Sequence, residues 1–77
     1  MVTDFNQYDA YGIVSNIEMM ELGLAQYGTN PRRVANIRAL LDVVEYRAAT
    51  PHGPDCSRDY YRNVICPMAR RLMNAAV

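Results

Sequence analysis

The sequence predicts an all-α protein of one domain (1–77), a small antiparallel three-helix bundle with helices at about residues 4–27, 31–50 and 56–75. In each stretch, apolar residues recur at alternating spacings of three and four, which is the period of a helix with one buried side. Turn-forming residues separate the stretches. No stretch shows the sustained alternation of apolar and polar residues that is typical of a strand.

The middle helix has the clearest boundaries. Asn30 has the side chain of a helix N-cap, and Pro31 suits the first helical position, where a missing N–H costs nothing. Pro51 ends the pattern. The apolar stripe consists of Val34, Ile37, Leu41, Val44 and Ala48. The charged side chains on the opposite side are Arg38, Asp42 and Glu45. This helix must bury its stripe against other helices.

The first helix begins near Thr3 or Asp4 and has an apolar stripe of the same period. This stripe consists of Ile13, Ile17, Met20, Leu24 and Tyr27. Gly12 and Gly23 interrupt the helix, and each costs about 1 kcal/mol relative to alanine. Either glycine marks a break or allows close contact with another helix. A break at Gly12 would leave a separate turn with an exposed aromatic cluster, made of Phe5, Tyr8 and Tyr11.

Two connections join the three helices. Gly28 suits the left-handed residue that ends a helix, and the short loop after it makes the first two helices antiparallel neighbours. The second connection, residues 51–55, contains two prolines and a glycine in five residues, so no regular element passes through it.

The third helix, capped by Asp55 or Ser57, carries the stripe Tyr61, Ile65, Met68, Leu72 and Ala75. Pro67 lies inside this pattern. Because proline removes one helical hydrogen bond and crowds the carbonyl of residue 63, we predict a kink near residues 63–66 or two shorter helices.

The composition is that of a packed globular protein. Apolar residues make up 51% of the chain and charged residues 21%, which argues against disorder. The chain lacks a run of 18 apolar residues and a secretory signal sequence, so we expect a cytoplasmic protein and no membrane partner. The alternative to the single-chain bundle is a homodimer, with a wider apolar face that includes Leu40, Val43 and Tyr46 shared between two chains; we favour the bundle, with dimerisation as an addition to it.

The net charge is zero, but the charges are unevenly distributed. Residues 1–30 contain four acidic side chains and no basic one, whereas residues 31–77 contain eight arginines and four acidic side chains. The simpler interpretation is that acidic and basic helices compensate each other within the fold. The alternative is a basic surface for an acidic partner, because the planar guanidinium of arginine suits carboxylates and phosphates. A bias in the base composition of the genome explains the absence of lysine more simply.

Candidates for metal binding and catalysis are few. His52, Cys56 and Cys66 are the only soft ligands, one fewer than a structural zinc site needs, so we predict no metal. A disulfide between the cysteines is disfavoured because ten residues of helix separate Cα atoms by roughly 15 Å. We expect Cys66 to be a buried apolar side chain.

The remaining residues also give no indication of an enzyme. Glu18 and Glu21 are one helical turn apart, but they lie on a polar face, where solvated carboxylates are usual. The sequence contains no phosphate-binding glycine loop, no Ser-His-Asp set and no nucleotide fingerprint. The methionines are core residues rather than ligands. We therefore predict no catalytic residue, no cofactor and no small-molecule substrate.

The arginine pairs and two tyrosines are the candidate partner-binding residues: Tyr8, Tyr11, Arg32, Arg33, Arg70 and Arg71. Arg32 and Arg33 occupy the first turn of the middle helix, where cations oppose the helix dipole at a cost of about 0.3 to 1 kcal/mol. Either an acidic side chain of the chain or an external anion must compensate them. Arg70 and Arg71 are favourably placed near a helix end.

Two functions fit these observations. The favoured one is a non-enzymatic protein-binding regulator, an adaptor or inhibitor of the kind encoded by phages or mobile elements, which occupies a surface of a larger protein. Six tyrosines and eight arginines match the composition of interface hot spots, unless the tyrosines are core or ordinary surface residues. The alternative is a small helical DNA-binding module or transcriptional regulator. The proline-bound linker and the lack of net positive charge count against it.

Overall fold

The protein is a three-helix bundle in the computed structural model, which describes residues 3–50 and 58–77. A 3-10 turn at Phe5–Gln7 precedes α1 (Ala10–Tyr27) and α2 (Pro31–Ala49). The third helix, α3, covers residues 58–76 in three contiguous parts, Arg58–Tyr60, Tyr61–Ile65 and Cys66–Ala76. The described residues contain no strand. The predicted all-α three-helix fold is confirmed.

The predicted start of the first helix at residue 4 is wrong, because two aspartates divide this segment. Asp4 accepts a hydrogen bond from the Asn6 N–H (3.1 Å) and caps the 3-10 turn, while Asp9 accepts one from the Gly12 N–H (2.9 Å) and caps α1. Tyr8 between them is extended. Each carboxylate accepts a hydrogen bond from a backbone N–H that lacks a partner within its own helix. The segment therefore forms a capped 3-10 turn followed by a separately capped α1, rather than one continuous helix.

The aromatic residues of this segment do not form an exposed cluster. Phe5 is 1% exposed, Tyr8 is half-buried and Tyr11 is 87% exposed. Neither Gly12 nor Gly23 breaks α1. The ring of Tyr8 instead lies against Gly12, where an added Cβ would be 2.9 Å from Tyr8 Cδ1. The glycine therefore allows the turn to fold back on α1.

The predicted boundaries of α2 are confirmed to within one residue. Asn30 Oδ1 accepts a hydrogen bond from the Arg33 N–H (2.8 Å), and Pro31 is the first helical residue. Gly28 ends α1 with φ 74° and ψ −169°, and its N–H donates to the Leu24 carbonyl (2.9 Å). This backbone conformation is open almost only to glycine, although it is not the left-handed helical conformation that the sequence predicted.

A π-helical stretch, Tyr61–Ile65, produces the irregularity that Pro67 predicts in α3. The Cys66 N–H donates to the Tyr61 carbonyl five residues earlier, so the stretch contains one extra residue. The buried residues after it are Cys66, Ala69, Leu72, Met73 and Ala76. The sequence predicted Met68 and Ala75 on the buried stripe, but the structure buries the next residue in each case, Ala69 and Ala76. The predicted start at residue 56 and the caps Asp55 and Ser57 lie outside the described residues.

The core lies where α2 packs against the C-terminal part of α3, the closest helix pair in the fold. Its largest fully buried side chains are Tyr61, Phe5, Ile13, Ile17, Ile37, Leu40, Ile65 and Val44. Leu40 is covered within one chain, so no second chain is needed to bury it. Val43 is half-buried, and Tyr46 is 69% exposed.

α1 rests mainly on α3 and approaches the α2 backbone at few points, although a short loop joins α1 and α2. Thr29 in this loop donates a hydrogen bond from its hydroxyl to the Ala76 carbonyl (2.9 Å), which fixes the loop to the end of α3. The last residue of the predicted α1 stripe, Tyr27, is 72% exposed. A crevice therefore remains between α1 and α2.

A buried arginine joins three segments of the fold. Arg47 of α2 is 4% exposed and donates to Tyr61 Oη (2.7 Å) and to the Asn6 carbonyl (3.0 Å). Sequence reasoning missed this residue. The signal was available, because Ile37, Leu40, Val44 and Arg47 follow the spacings of a buried stripe.

Candidate protein-binding surface

The side of α1 that points away from the bundle carries three large exposed apolar residues. Tyr11, Met19 and Leu22 are 87%, 68% and 61% exposed. Ser15 and Glu18, which lie between them at helical spacing, are also exposed. We call these five residues the outward face of α1. The helix contains two glutamates and no basic residue, so the only charges along it are negative.

The α1–α2 crevice lies beside this face and has a volume of about 260 Å³. Its lining consists of Asn16, Met19, Met20, Gly23, Arg33, Asn36 and Ile37. Most of the surface of this lining is apolar, and one guanidinium and two amides supply its polar side-chain groups. Met19 belongs to both the crevice and the outward face, so the two surfaces are continuous.

Arg33 is held in place by the end of α1. Its Nη1 donates to the Gly28 carbonyl (2.8 Å), and its guanidinium carbon lies 5.5 Å from the centre of the Tyr27 ring. The carbonyls at a helix C-terminus carry partial negative charge. A cation that is unfavourable at the start of α2 is therefore favourable at the end of α1. At Arg33, the Gly28 carbonyl and the Tyr27 ring therefore provide the compensation for which we expected an anion from the sequence.

The other predicted arginines differ in their surroundings. Arg70 donates to Glu45 (3.2 Å), and both side chains are about half exposed, so the pair contributes little to stability. Arg71 lines a separate groove together with Glu21 and Leu24 between α1 and α3. Arg32 is exposed and pairs with no acidic side chain among the described residues.

The six predicted partner-binding residues do not form one site. Tyr8 and Tyr11 lie near the start of α1, whereas the Arg33 side chain lies beside Gly23 and Tyr27 near its end, roughly 18 Å further along the helix. Arg70 and Arg71 are on α3. Sequence reasoning did not select Met19 and Leu22, and its prediction that the methionines are core residues is wrong for Met19, because both positions lie off the apolar stripe of α1 and are exposed.

Cys66 is buried in the groove between α2 and α3. Burial raises the pKa of its thiol, and the nearby Arg70 guanidinium only partly opposes this shift. A protonated thiol is neither a strong nucleophile nor a metal ligand. Within residues 3–50 and 58–77, no three potential metal ligands lie together. His52 and Cys56, and with them the predicted absence of a disulfide, lie outside the described residues.

The fold and this surface define a small all-α three-helix domain with an exposed apolar helix face. Comparison with protein-family models, curated protein sequences and solved structures finds no match to the chain. Among the described helices, none is both long and apolar enough to span a membrane.

Proposed function

We propose that this protein is a non-enzymatic protein-binding regulator, an adaptor or inhibitor that occupies a larger protein through the outward face of α1. The observation that supports the proposal is the exposure of Tyr11, Met19 and Leu22 on one side of one helix. Single exposed apolar residues are ordinary, but neighbouring ones on one surface mark interaction sites.

A helix face of this kind suits recognition by insertion into an apolar groove of a partner. In that mode, side chains one and two turns apart act as anchors. Tyrosine is frequent among anchors because it buries a large ring at low entropic cost. The glutamates of α1 give the surrounding surface a negative charge, which favours a groove with a basic rim.

The alternative of a DNA-binding module has less support. Arg33, Arg47 and Arg70 each make contacts within the chain, to Gly28, to Tyr61 and Asn6, and to Glu45 respectively. Fewer guanidinium groups therefore remain for phosphates, and nucleic-acid affinity depends strongly on the number of phosphate contacts.

The test is cross-linking and purification of the partner from the native host, followed by affinity measurements with variants. We expect Tyr11→Ala and Leu22→Ala together to weaken binding at least tenfold while leaving the melting temperature near that of the wild type. Tyr46→Ala is the matched control, because this residue is similarly exposed but lies on α2.

Unchanged affinity in the double variant would contradict the proposal. So would submicromolar binding to duplex DNA that falls steeply with salt and is lost on charge reversal at Arg32 and Arg33, because the DNA-binding alternative would then be the better account.

A further inference from the structure

We propose that the α1–α2 crevice binds the C-terminal residue of a partner polypeptide, with an apolar side chain in the crevice and the terminal carboxylate on Arg33. This inference rests on the proposed function, since it names the part of the protein partner that docks beside the outward face of α1.

The apolar part of the crevice fits one side chain. Met19, Met20, Gly23 and Ile37 contribute its apolar lining. Its volume of about 260 Å³ lies just below the range of roughly 300 to 1,000 Å³ that is usual for drug-sized ligands. Methionine side chains adapt their shape to the group that they contact. A leucine-sized group is therefore a better match than a cofactor.

Arg33 presents an unused edge of its guanidinium to the crevice. Nη1 is engaged with the Gly28 carbonyl, whereas Nε lies 3.9 Å from the position of a Cβ added to Gly23, a residue of the crevice lining. Two parallel N–H groups on one edge match the two oxygens of a carboxylate. The contacts with Gly28 and Tyr27 hold the guanidinium in place before binding, which lowers the entropic cost.

Two amides complete the polar side of the crevice, and hydrogen bonds fix how each of them is oriented. Asn36 Oδ1 accepts a bond from the Thr3 N–H (3.0 Å), so its NH₂ group remains a donor. Asn16 Nδ2 donates to the Gly12 carbonyl (2.7 Å), so its Oδ1 remains an acceptor. The last residue of a polypeptide offers the complementary groups, a carboxylate and one backbone N–H.

Continuity with the outward face favours a chain end over a free small acid. Met19 forms part of both surfaces, so a chain that leaves the crevice at Met19 continues over the outward face towards Leu22 or Tyr11. A small acid would use the crevice alone.

The experiment titrates a glycine and serine hexapeptide that ends in leucine with a free carboxylate. NMR spectra of the isotope-labelled protein follow the Arg33 Nε–H, the Asn36 amide and the Gly23 backbone N–H. For so few contacting atoms we expect a Kd on the order of 1 mM. The same peptide with an amidated C-terminus, or with glycine as its last residue, should bind at least about tenfold more weakly.

Two variants test the residues. Asn36→Asp keeps the acceptor for Thr3 but replaces the free donor with a negative oxygen, and Arg33→Gln removes the charge. Each should weaken binding at least about tenfold. Arg32→Gln is the matched control, because Arg32 is the exposed neighbour outside the crevice, and it should change the Kd less than twofold. Circular dichroism confirms that each variant is folded.

The inference would be overturned if the NMR signals did not shift at peptide concentrations of about 10 mM, or if the amidated peptide bound equally well. Equal losses of affinity in Arg32→Gln and Arg33→Gln would also overturn it. So would tighter binding of isocaproate than of the peptide. The last result would identify a small-acid site. The glycine and serine residues of the probe offer no large side chain that could contact Tyr11 or Leu22. Failure of the peptide to bind would therefore not contradict the proposed function of the outward face, which the Tyr11→Ala and Leu22→Ala measurements test separately.

Discussion

Arg47 places a positive charge in the interior of the bundle, where it contacts a phenol oxygen and a backbone carbonyl and no carboxylate of the described residues. Removing a cation from water costs several kcal/mol unless its N–H groups find acceptors. The guanidinium also lies 5.6 Å from the centre of the Tyr61 ring, which adds a favourable contact. The arrangement is therefore sensitive to the loss of either acceptor.

We predict that Tyr61→Phe lowers the free energy of unfolding by about 1 to 3 kcal/mol, because it leaves a buried guanidinium N–H without its acceptor. For a chain of this size the melting temperature should fall by at least about 4 °C. Thermal denaturation measures the change. Tyr60→Phe is the control, since the neighbouring ring is exposed, and it should melt like the wild type.

The combination Arg47→Met with Tyr61→Phe distinguishes a lost hydrogen bond from a general packing defect. If the interaction is the cause, the double variant is less destabilised than the sum of the two single variants, because the charge and its acceptor disappear together. Strict additivity would show that the two side chains act independently.

The thiol of Cys66 predicts a specific dependence of stability on pH. Because burial raises its pKa in the folded state, the unfolded chain loses this proton first as the pH rises. The thiol therefore has no effect below the unfolded pKa of about 8.5 and lowers the free energy of unfolding above it, until the pH passes the folded pKa. Urea denaturation of the wild type and of Cys66→Ala between pH 7 and 10 should give a steeper decline for the wild type. Parallel declines would contradict this prediction.

Among the helices, α2 could be predicted almost completely because its boundaries depend on local chemistry. An amide cap and a proline at the first position determine its start without reference to the rest of the chain. The start of α1 could not be predicted in the same way, since Asp4 and Asp9 are both good caps. Both aspartates act as caps in the structure, because the turn that Asp4 caps packs Phe5 into the core.

The buried side of α3 shows where a periodic pattern is insufficient. Proline at position 67 indicates an irregular helix, but both a kink and an extra residue relieve the crowding that it causes. The choice depends on which register buries Ala69 and Ala76, and this is a property of the assembled bundle.

Gly23 inside α1 and Gly28 just after its end should respond oppositely to replacement by alanine. Gly28→Ala should lower the free energy of unfolding by about 1 to 3 kcal/mol, because φ 74° with ψ −169° strains any residue with a Cβ. Gly23→Ala should raise it by about 0.5 to 1 kcal/mol, because the new methyl group meets only Arg33 Nε at 3.9 Å and alanine favours the helix. Chemical denaturation measures both. Equal effects would contradict the backbone explanation.

For the molecule as a whole, the composition and the spacing of the apolar residues were sufficient to predict the fold class, but they did not identify a binding surface. Tyr11 was selected from its residue type, whereas Met19 and Leu22 were not selected, although they lie off the apolar stripe of α1 and are exposed. The crevice depends on the divergence of α1 from α2 after a short loop. A loop length does not determine that angle.

We predict that a chelator and a reductant leave the melting temperature unchanged within about 2 °C, less than the shift expected for 1 kcal/mol. The reason is that a structural zinc site needs four ligands and the chain contains three soft ones. Differential scanning calorimetry with and without EDTA and dithiothreitol makes the comparison. A fall of 5 °C or more with the chelator would indicate a metal site that includes His52 and Cys56.

The π-helical stretch Tyr61–Ile65 changes how the chain tolerates the loss of a residue. In a regular helix a single deletion rotates everything after it by about 100° and turns the buried side outward. Here the extra residue is already present, so we expect deletion of the exposed Asn63 to convert the stretch to an α-helical turn with Leu72 and Ala76 still facing the core, at the cost of restoring the crowding that Pro67 causes. Deletion of the equally exposed Asn74 lacks this compensation. Loss of one codon near position 63 should therefore preserve the buried side of α3 while lowering the stability of the helix around Pro67.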